Sequence, residues 1–275
     1  MQAEDILIQA DALFAAGRGQ DAADLLESAY RQAKQEKDWR TQLTLVNELM
    51  GWFRARGDFS RAQGFADAAR ALLAEQGLSQ TLAGMTTLLN IATLRRSQGQ
   101  PEAALALYAQ VEQVYVAAGL RADCRLGGLY NNMAVSWLEL GQKQQALDYA
   151  HRAAAALKGA EDSAGARATV WANLASVLLR LDPPALDEAE TYLQQALTLF
   201  ETEAPADPHY SGALAGRAFL AFRRGDVDGA LALYRQAMEI TRRAFGENRD
   251  YRQLAANAAA LEKLRDRGGQ AGQAE

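Results

Sequence analysis

Reactive and rigid residues are scarce in this chain of 275 residues, which has one Cys, two His, five Pro and, among 29 basic residues, five Lys. A lone Cys124 builds no disulfide framework, and one Cys with two His offers too few ligands for a zinc-type site. No metal or cofactor is therefore expected. His151 and His209 have no Ser, Cys or carboxylate at a spacing that suggests a triad, so no catalytic residue is assigned. A glycine-rich phosphate loop is also missing, since Gly127-Gly128 lies inside a helical stretch and Gly268-Gly269 falls in the tail. No run approaches the ~18 uncharged apolar residues that a membrane-spanning helix needs, and no basic amphipathic segment points to a membrane surface. The start, MQAEDILIQADALFAAG, is acidic and has no Lys or Arg before Arg18, unlike a secretory signal, so a cytoplasmic location is expected by default. The net charge of −5 opposes a basic nucleic-acid clamp, and 49% apolar residues oppose disorder.

What the chain does have is a period. Gly followed five residues later by Ala recurs as Gly17/Ala22, Gly57/Ala62, Gly99/Ala104, Gly141/Ala146 and Gly225/Ala230, and Asp182/Ala189 forms a sixth unit stretched by Pro183 and Pro184. These Ala lie 40, 42, 42, 43 and 41 residues apart. A fixed period of this length marks a stack of repeated supersecondary units. Twelve residues before most of them stands another small or apolar residue, Ala10, Met50, Ala92, Ala134 and Ala218, with Ala175 at fourteen. Seven residues after them come Ala29, Ala69, Val111, Ala153, Ala196 and Ala237. Each unit reads as helix, Gly stop, second helix, because the segments on both sides are rich in good helix formers with apolar residues three and four apart. Pro101 falls in the first turn of a second helix, where a missing N–H costs least, and Pro183-Pro184 occupy the equivalent stretch. Ala recurs at the crossings because antiparallel helices approach closely only where the contact residue is small.

Small residue, Gly, Ala and small residue at relative positions 8, 15, 20 and 27 resemble the tetratricopeptide repeat, over residues 3 to 266. The units are longer than that family's usual 34 residues and are similar to the long type of kinesin light chains and of many bacterial repeat proteins. The resemblance implies an all-α fold, an α-solenoid forming a right-handed superhelix of six helix pairs plus a C-terminal capping helix. Its expected units are 3–37, 38–78, 79–119, 121–159, 161–204 and 207–246, with a cap at 249–266, in one domain. Residues 267–275 are expected to be a disordered tail. In the fifth unit Asp182-Pro183-Pro184 replaces Gly, and a local splay of that helix pair is expected.

In such a stack the first helix of each pair lines the concave face. Counting from position 8, positions 2, 5, 6 and 9 share one helical stripe. It carries Thr44, Asn47, Glu48 and Gly51; Thr86, Leu89, Asn90 and Thr93; Gly128, Asn131, Asn132 and Val135; and Thr169, Ala172, Asn173 and Ser176. Further on come Gly212, Ala215, Gly216 and Phe219, then Gln253, Ala256, Asn257 and Ala260 in the cap. Six of the seven Asn in the chain occupy positions 5 or 6 of this stripe. Asn is a poor helix former, so its repeated placement mid-helix requires a reason. A carboxamide offers two donors and one acceptor on a short stem, which suits it to hold a peptide backbone whatever the side chains. In the resembled family Asn at this position does so, which singles out Asn90, Asn132 and Asn173. Arg54, Arg96, Arg180 and Arg223 lie near the C-terminal ends of the same helices, where they either pair with ligand carboxylates or complement the helix dipole.

Two functions remain open at this point. The first is a non-catalytic adaptor whose partner is a protein or extended peptide held on the concave face. The second is a self-associating scaffold whose Asn ladder bonds only neighbouring helices. The carboxylate clamp for chaperone tails is opposed, because none of Lys34, Lys37, Lys143, Lys158 and Lys263 falls on the stripe.

Overall fold

A computed structural model describes residues 3–120, 123–158 and 164–271. Among them are thirteen helices and no strand. The fold is an α-solenoid of helical hairpins, and the chain divides into two compact units, Met1–Gly141 and Gln142–Glu275.

Unit 1 holds α1 (Ala3–Ala15), α2 (Gly19–Gln35), α3 (Trp39–Arg56), α4 (Phe59–Glu75), α5 (Leu82–Ser97), α6 (Pro101–Ala117) and α7 (Cys124–Glu139). Unit 2 holds α8 (Lys143–Ala156), α9 (Ala164–Leu178), α10 (Leu186–Glu203), α11 (Tyr210–Arg223), α12 (Val227–Phe245) and α13 (Arg249–Ala271). The final helix runs five residues past its expected end at 266. Residues 267–271 are thus helical, and 272–275 lie outside the described residues.

Helix starts follow from short polar side chains. Asp38, Asp58, Thr81, Asp123 and Asp226 each accept a backbone N–H from the first turn they precede, as Asp38 Oδ1 does from Thr41 at 3.2 Å. Such caps satisfy donors that the helix leaves free and stabilise it by about 1 kcal/mol each. Pro101 stands at the start of α6 as its position requires. Pro183 and Pro184, in contrast, precede α10 altogether, in the turn before its cap at Ala185.

Helix ends show a signal that the Gly column alone does not reveal. Gly57 closes α3 in the left-handed region at φ 80°, with its own N–H to Arg54 O at 3.0 Å and the next N–H, of Asp58, to Phe53 O at 2.9 Å. The second helices also stop on positive φ, at Gly77, Gly119 and Gly246, and at Lys37 with φ 57°. Lys37 is the non-glycine residue that takes this conformation among the described residues. The first three periods and the sixth thus have a positive-φ stop after each helix, whereas α10 of the fifth ends on Ala204 at φ −141°.

The close-contact columns pack as their residue types demand. Ala22, Ala62, Ala104, Ala146, Ala189 and Ala230 are fully buried, as are Met50, Ala92, Ala175 and Ala218 one column earlier. The third column is buried from Ala69 onward, while Ala29 is only half-buried. The expected splay of the fifth pair does not occur. Ala168, Ala175, Ala189 and Ala196 are all fully buried between α9 and α10, because the longer turn absorbs the prolines outside the helices. In unit 1 the first helices also touch in series, α1 on α3, α3 on α5 and α5 on α7, and in unit 2 α9 touches α11. That series carries the stripe.

Candidate functional site

In unit 1 the stripe is built by α3, α5 and α7. Asn47 of α3 uses every polar atom of its carboxamide. Its Nδ2 donates to Leu43 O at 2.9 Å and to Thr87 Oγ1 of α5 at 3.0 Å, and its Oδ1 accepts from Asn90 Nδ2 at 3.0 Å. Thr87 is fully buried, so this bond occupies a hydroxyl that water cannot reach. Asn90 spends one donor on Asn47, and its oxygen makes no hydrogen bond with a described residue. Asn132 of α7 is half-buried, and its carboxamide likewise bonds no described residue; only its backbone oxygen is engaged, by Ser136 Oγ at 2.9 Å. Its neighbour Asn131 is already engaged. The stripe therefore mixes saturated amides with open ones.

The hydroxyls divide in the same way. Thr44 is half-buried, and Thr86 is exposed with a long contact to Leu82 O at 3.4 Å. Thr93 does not face outward: it is 8% exposed, donates to Leu89 O at 2.9 Å and bonds the Tyr108 hydroxyl at 3.0 Å. Position 9 points toward the second helix here, which takes Thr93 off the open face. Tyr108 is a residue that the stripe count misses. Burial raises its phenol pKa, opposed by hydrogen bonds from Thr93 and Arg96 and by the charges of Arg96 and Arg54. The hydroxyl thus lies in the field of two first-helix guanidiniums, Arg54 of α3 and Arg96 of α5.

Arg96 also donates from Nη1 to Glu139 Oε1 of α7 at 2.8 Å, while its buried Nε has no partner. Arg96 and Glu139 join α5 to α7 at the C-terminal end of the stripe. Glu48 lies on the same face, and desolvation followed by repulsion from Asp11 raises its carboxyl pKa.

In unit 2 the predicted residues are bound more fully by their own neighbours. Thr169 donates to Gly165 O at 2.8 Å, and Arg180 donates to the backbone oxygen of Ser176 at 2.9 Å and closely to its hydroxyl. Desolvation lowers the Arg180 pKa, opposed by Tyr234. Asn173 is already engaged. Asn257 accepts from Gln253 Nε2 at 3.1 Å and hydrogen-bonds Tyr234 of α12, whose burial raises its phenol. Arg223 is exposed, with its guanidinium 5.9 Å from the Phe219 ring centre. Sequence spacing could not show Tyr234, which sits on a second helix.

The described residues include no group of three or more His, Cys, Asp or Glu that could hold a metal ion, and no helix long and apolar enough to cross a membrane. His209 does meet a carboxylate that sequence spacing did not flag, with Nδ1 2.8 Å from Asp207 Oδ1. Ser211 beside it donates to Pro208 O at 2.8 Å, so that hydroxyl serves the turn.

A sequence profile of the tetratricopeptide repeat matches residues 213–250, which take in most of α11, all of α12 and the first residues of α13. No curated protein sequence matches the chain. Among solved structures, BtubC from P. vanneervenii superposes with a TM-score of 0.57 at 20% identity, over 87% of this chain and 91% of that one. A kinesin light chain with TPR-like repeats from Podosopora anserina gives 0.52 at 20% identity, over 73% and 95%. NprR, crystallised with its cognate peptide NprX, gives 0.63 at 14% identity, over 96% and 72%. The class is thereby defined: this chain has the fold of tetratricopeptide-repeat and kinesin-light-chain-like proteins, and its last helix pair carries the family's sequence signature.

Proposed function

We propose that the chain is a non-catalytic adaptor that binds an extended peptide segment of a protein partner along the first helices, with α5 and α7 of unit 1 as the principal contact. The observation that carries this reading is the pair of open carboxamides at Asn90 and Asn132, flanked by Thr86 and Arg96, in a stripe whose other amides are occupied. A half-buried polar group left open to solvent keeps its hydrogen-bonding capacity for a ligand. The shared fold of NprR, which was crystallised with a peptide, supports the same reading. The net charge of −5 disfavours nucleic acid as the partner. The reading includes a reducing, cytoplasmic setting, with which the exposed Cys124, held in no disulfide, agrees.

Selection of displayed random peptides against the full chain tests it. Enriched peptides are expected to lose about tenfold in affinity for each of Asn90→Ala and Asn132→Ala, the equivalent of one hydrogen bond, while Asn132→Ala keeps the parental melting temperature. Failure to enrich any sequence, or peptides that bind the double variant as well as the parent, would refute the proposal.

A further inference from the structure

The amides of Asn47 and Asn90 are fixed in direction as well as in place. The Leu43 carbonyl can only accept, so the group that faces it at 2.9 Å is Nδ2 of Asn47. Its second hydrogen goes to the buried Thr87 hydroxyl, and Oδ1 is then left facing α5, where Asn90 Nδ2 donates to it at 3.0 Å. Turning Asn90 over would set two carboxamide oxygens against each other, and turning Asn47 over would set its oxygen against the Leu43 carbonyl. Neither contact has a hydrogen to share. The polarity of a helix backbone carbonyl is thus passed through two side chains, linking positions 43, 47 and 90.

We infer that Asn47 is a positioning residue: it pins Asn90 by its nitrogen, so that the Asn90 carboxamide presents its oxygen as an acceptor for a backbone N–H of the bound peptide. This rests on the peptide-binding reading and narrows it. At α5 the stripe reads a donor, which fixes the direction in which a peptide N–H must point there. Asn47 itself makes no ligand contact, because both its donors and its acceptor are already used.

The test uses the full chain and a peptide enriched by the display selection, made as a set of analogues each methylated at one backbone nitrogen. Against the parent chain, one analogue is expected to lose about tenfold in affinity, the loss of one hydrogen bond. That penalty should vanish in Asn90→Ala, which lacks the acceptor, and shrink to about twofold or less in Asn47→Ala, where Asn90 is free to turn over. A purely structural role for Asn47 would weaken every analogue alike and leave the penalty unchanged in Asn47→Ala, which overturns the inference while leaving peptide binding intact. A parent chain that shows no selective penalty with any analogue overturns it too, and failure to enrich any peptide overturns the adaptor reading with it.

Discussion

Neighbouring first helices meet through different chemistry in the two units. In unit 1, α3 and α5 are joined by the amides of Asn47 and Asn90 and the hydroxyl of Thr87. In unit 2, α11 carries Ala215 and Gly216 at the register where α3 and α5 carry Asn. On the side of α11 that meets α10, a Cβ added to Gly216 would lie 2.8 Å from Leu193 Cδ2, so that side chain would have to shift for any larger residue. A seam of small residues gains from close packing and leaves no polar atom to spare. A seam of amides holds the helices by directional bonds and keeps some donors and acceptors at the surface. That difference leaves the open carboxamides of Asn90 and Asn132 in unit 1.

The comparison can be broken most severely from the packed side. Phe200 is fully buried in unit 2 and stacks on Tyr210 with ring centres 5.5 Å apart. Phe200→Ala is expected to cost about 3–5 kcal/mol in urea unfolding, and a loss below about 1 kcal/mol would show that this core does not depend on it. One step down, Ala104→Leu in unit 1 and Ala146→Leu in unit 2 force a larger side chain into fully buried contacts. Each should lose about 1–3 kcal/mol by the same assay, and parental melting in both would remove the close-contact register from either unit.

The polar seam is expected to be weaker. Asn47→Ala strips the buried Thr87 hydroxyl of its donor, at a cost of about 1–2 kcal/mol. If denaturation shows no loss, the amide chain does not contribute to stability and the contrast between the seams fails on the energetic side. The smallest effect tests the stops that both units share. Lys37 holds a left-handed φ of 57° that glycine adopts freely, so Lys37→Gly should raise stability by up to about 1 kcal/mol in thermal melts. A destabilised Lys37→Gly would mean that contacts of the lysine outweigh its backbone strain.

Much of the fold was legible in the chain because it is written locally and repeated. Helix-forming segments, Gly stops such as Gly57 and small contact residues such as Ala104 each act within one hairpin, and their recurrence separates them from chance. Lys37 was not legible as a stop, since its residue type says nothing of a positive φ; its place in the period opposite Gly77 and Gly119 was the available signal. The prolines at 183 and 184 pointed to a distorted pair, but the turn lengthened instead.

The candidate site was legible only as a stripe. Sequence periodicity placed Asn47, Asn90, Asn131 and Asn132 on first helices, and only the family resemblance set Asn90 and Asn132 apart from the other two. Their separation into a saturated amide, a pinned one, an engaged one and an open one was decided by tertiary structure, because the bonds that saturate Asn47 and pin Asn90 run between helices: Thr87 is 40 residues from Asn47, and Asn90 is 43. Thr93 turned inward for the same reason, its hydroxyl captured by Tyr108 of the paired helix. Residue type and period determine which side chains reach a common face, since helical geometry is local. Which of them remain available to a ligand depends on hydrogen bonds between repeats, which exist only once the helices have packed.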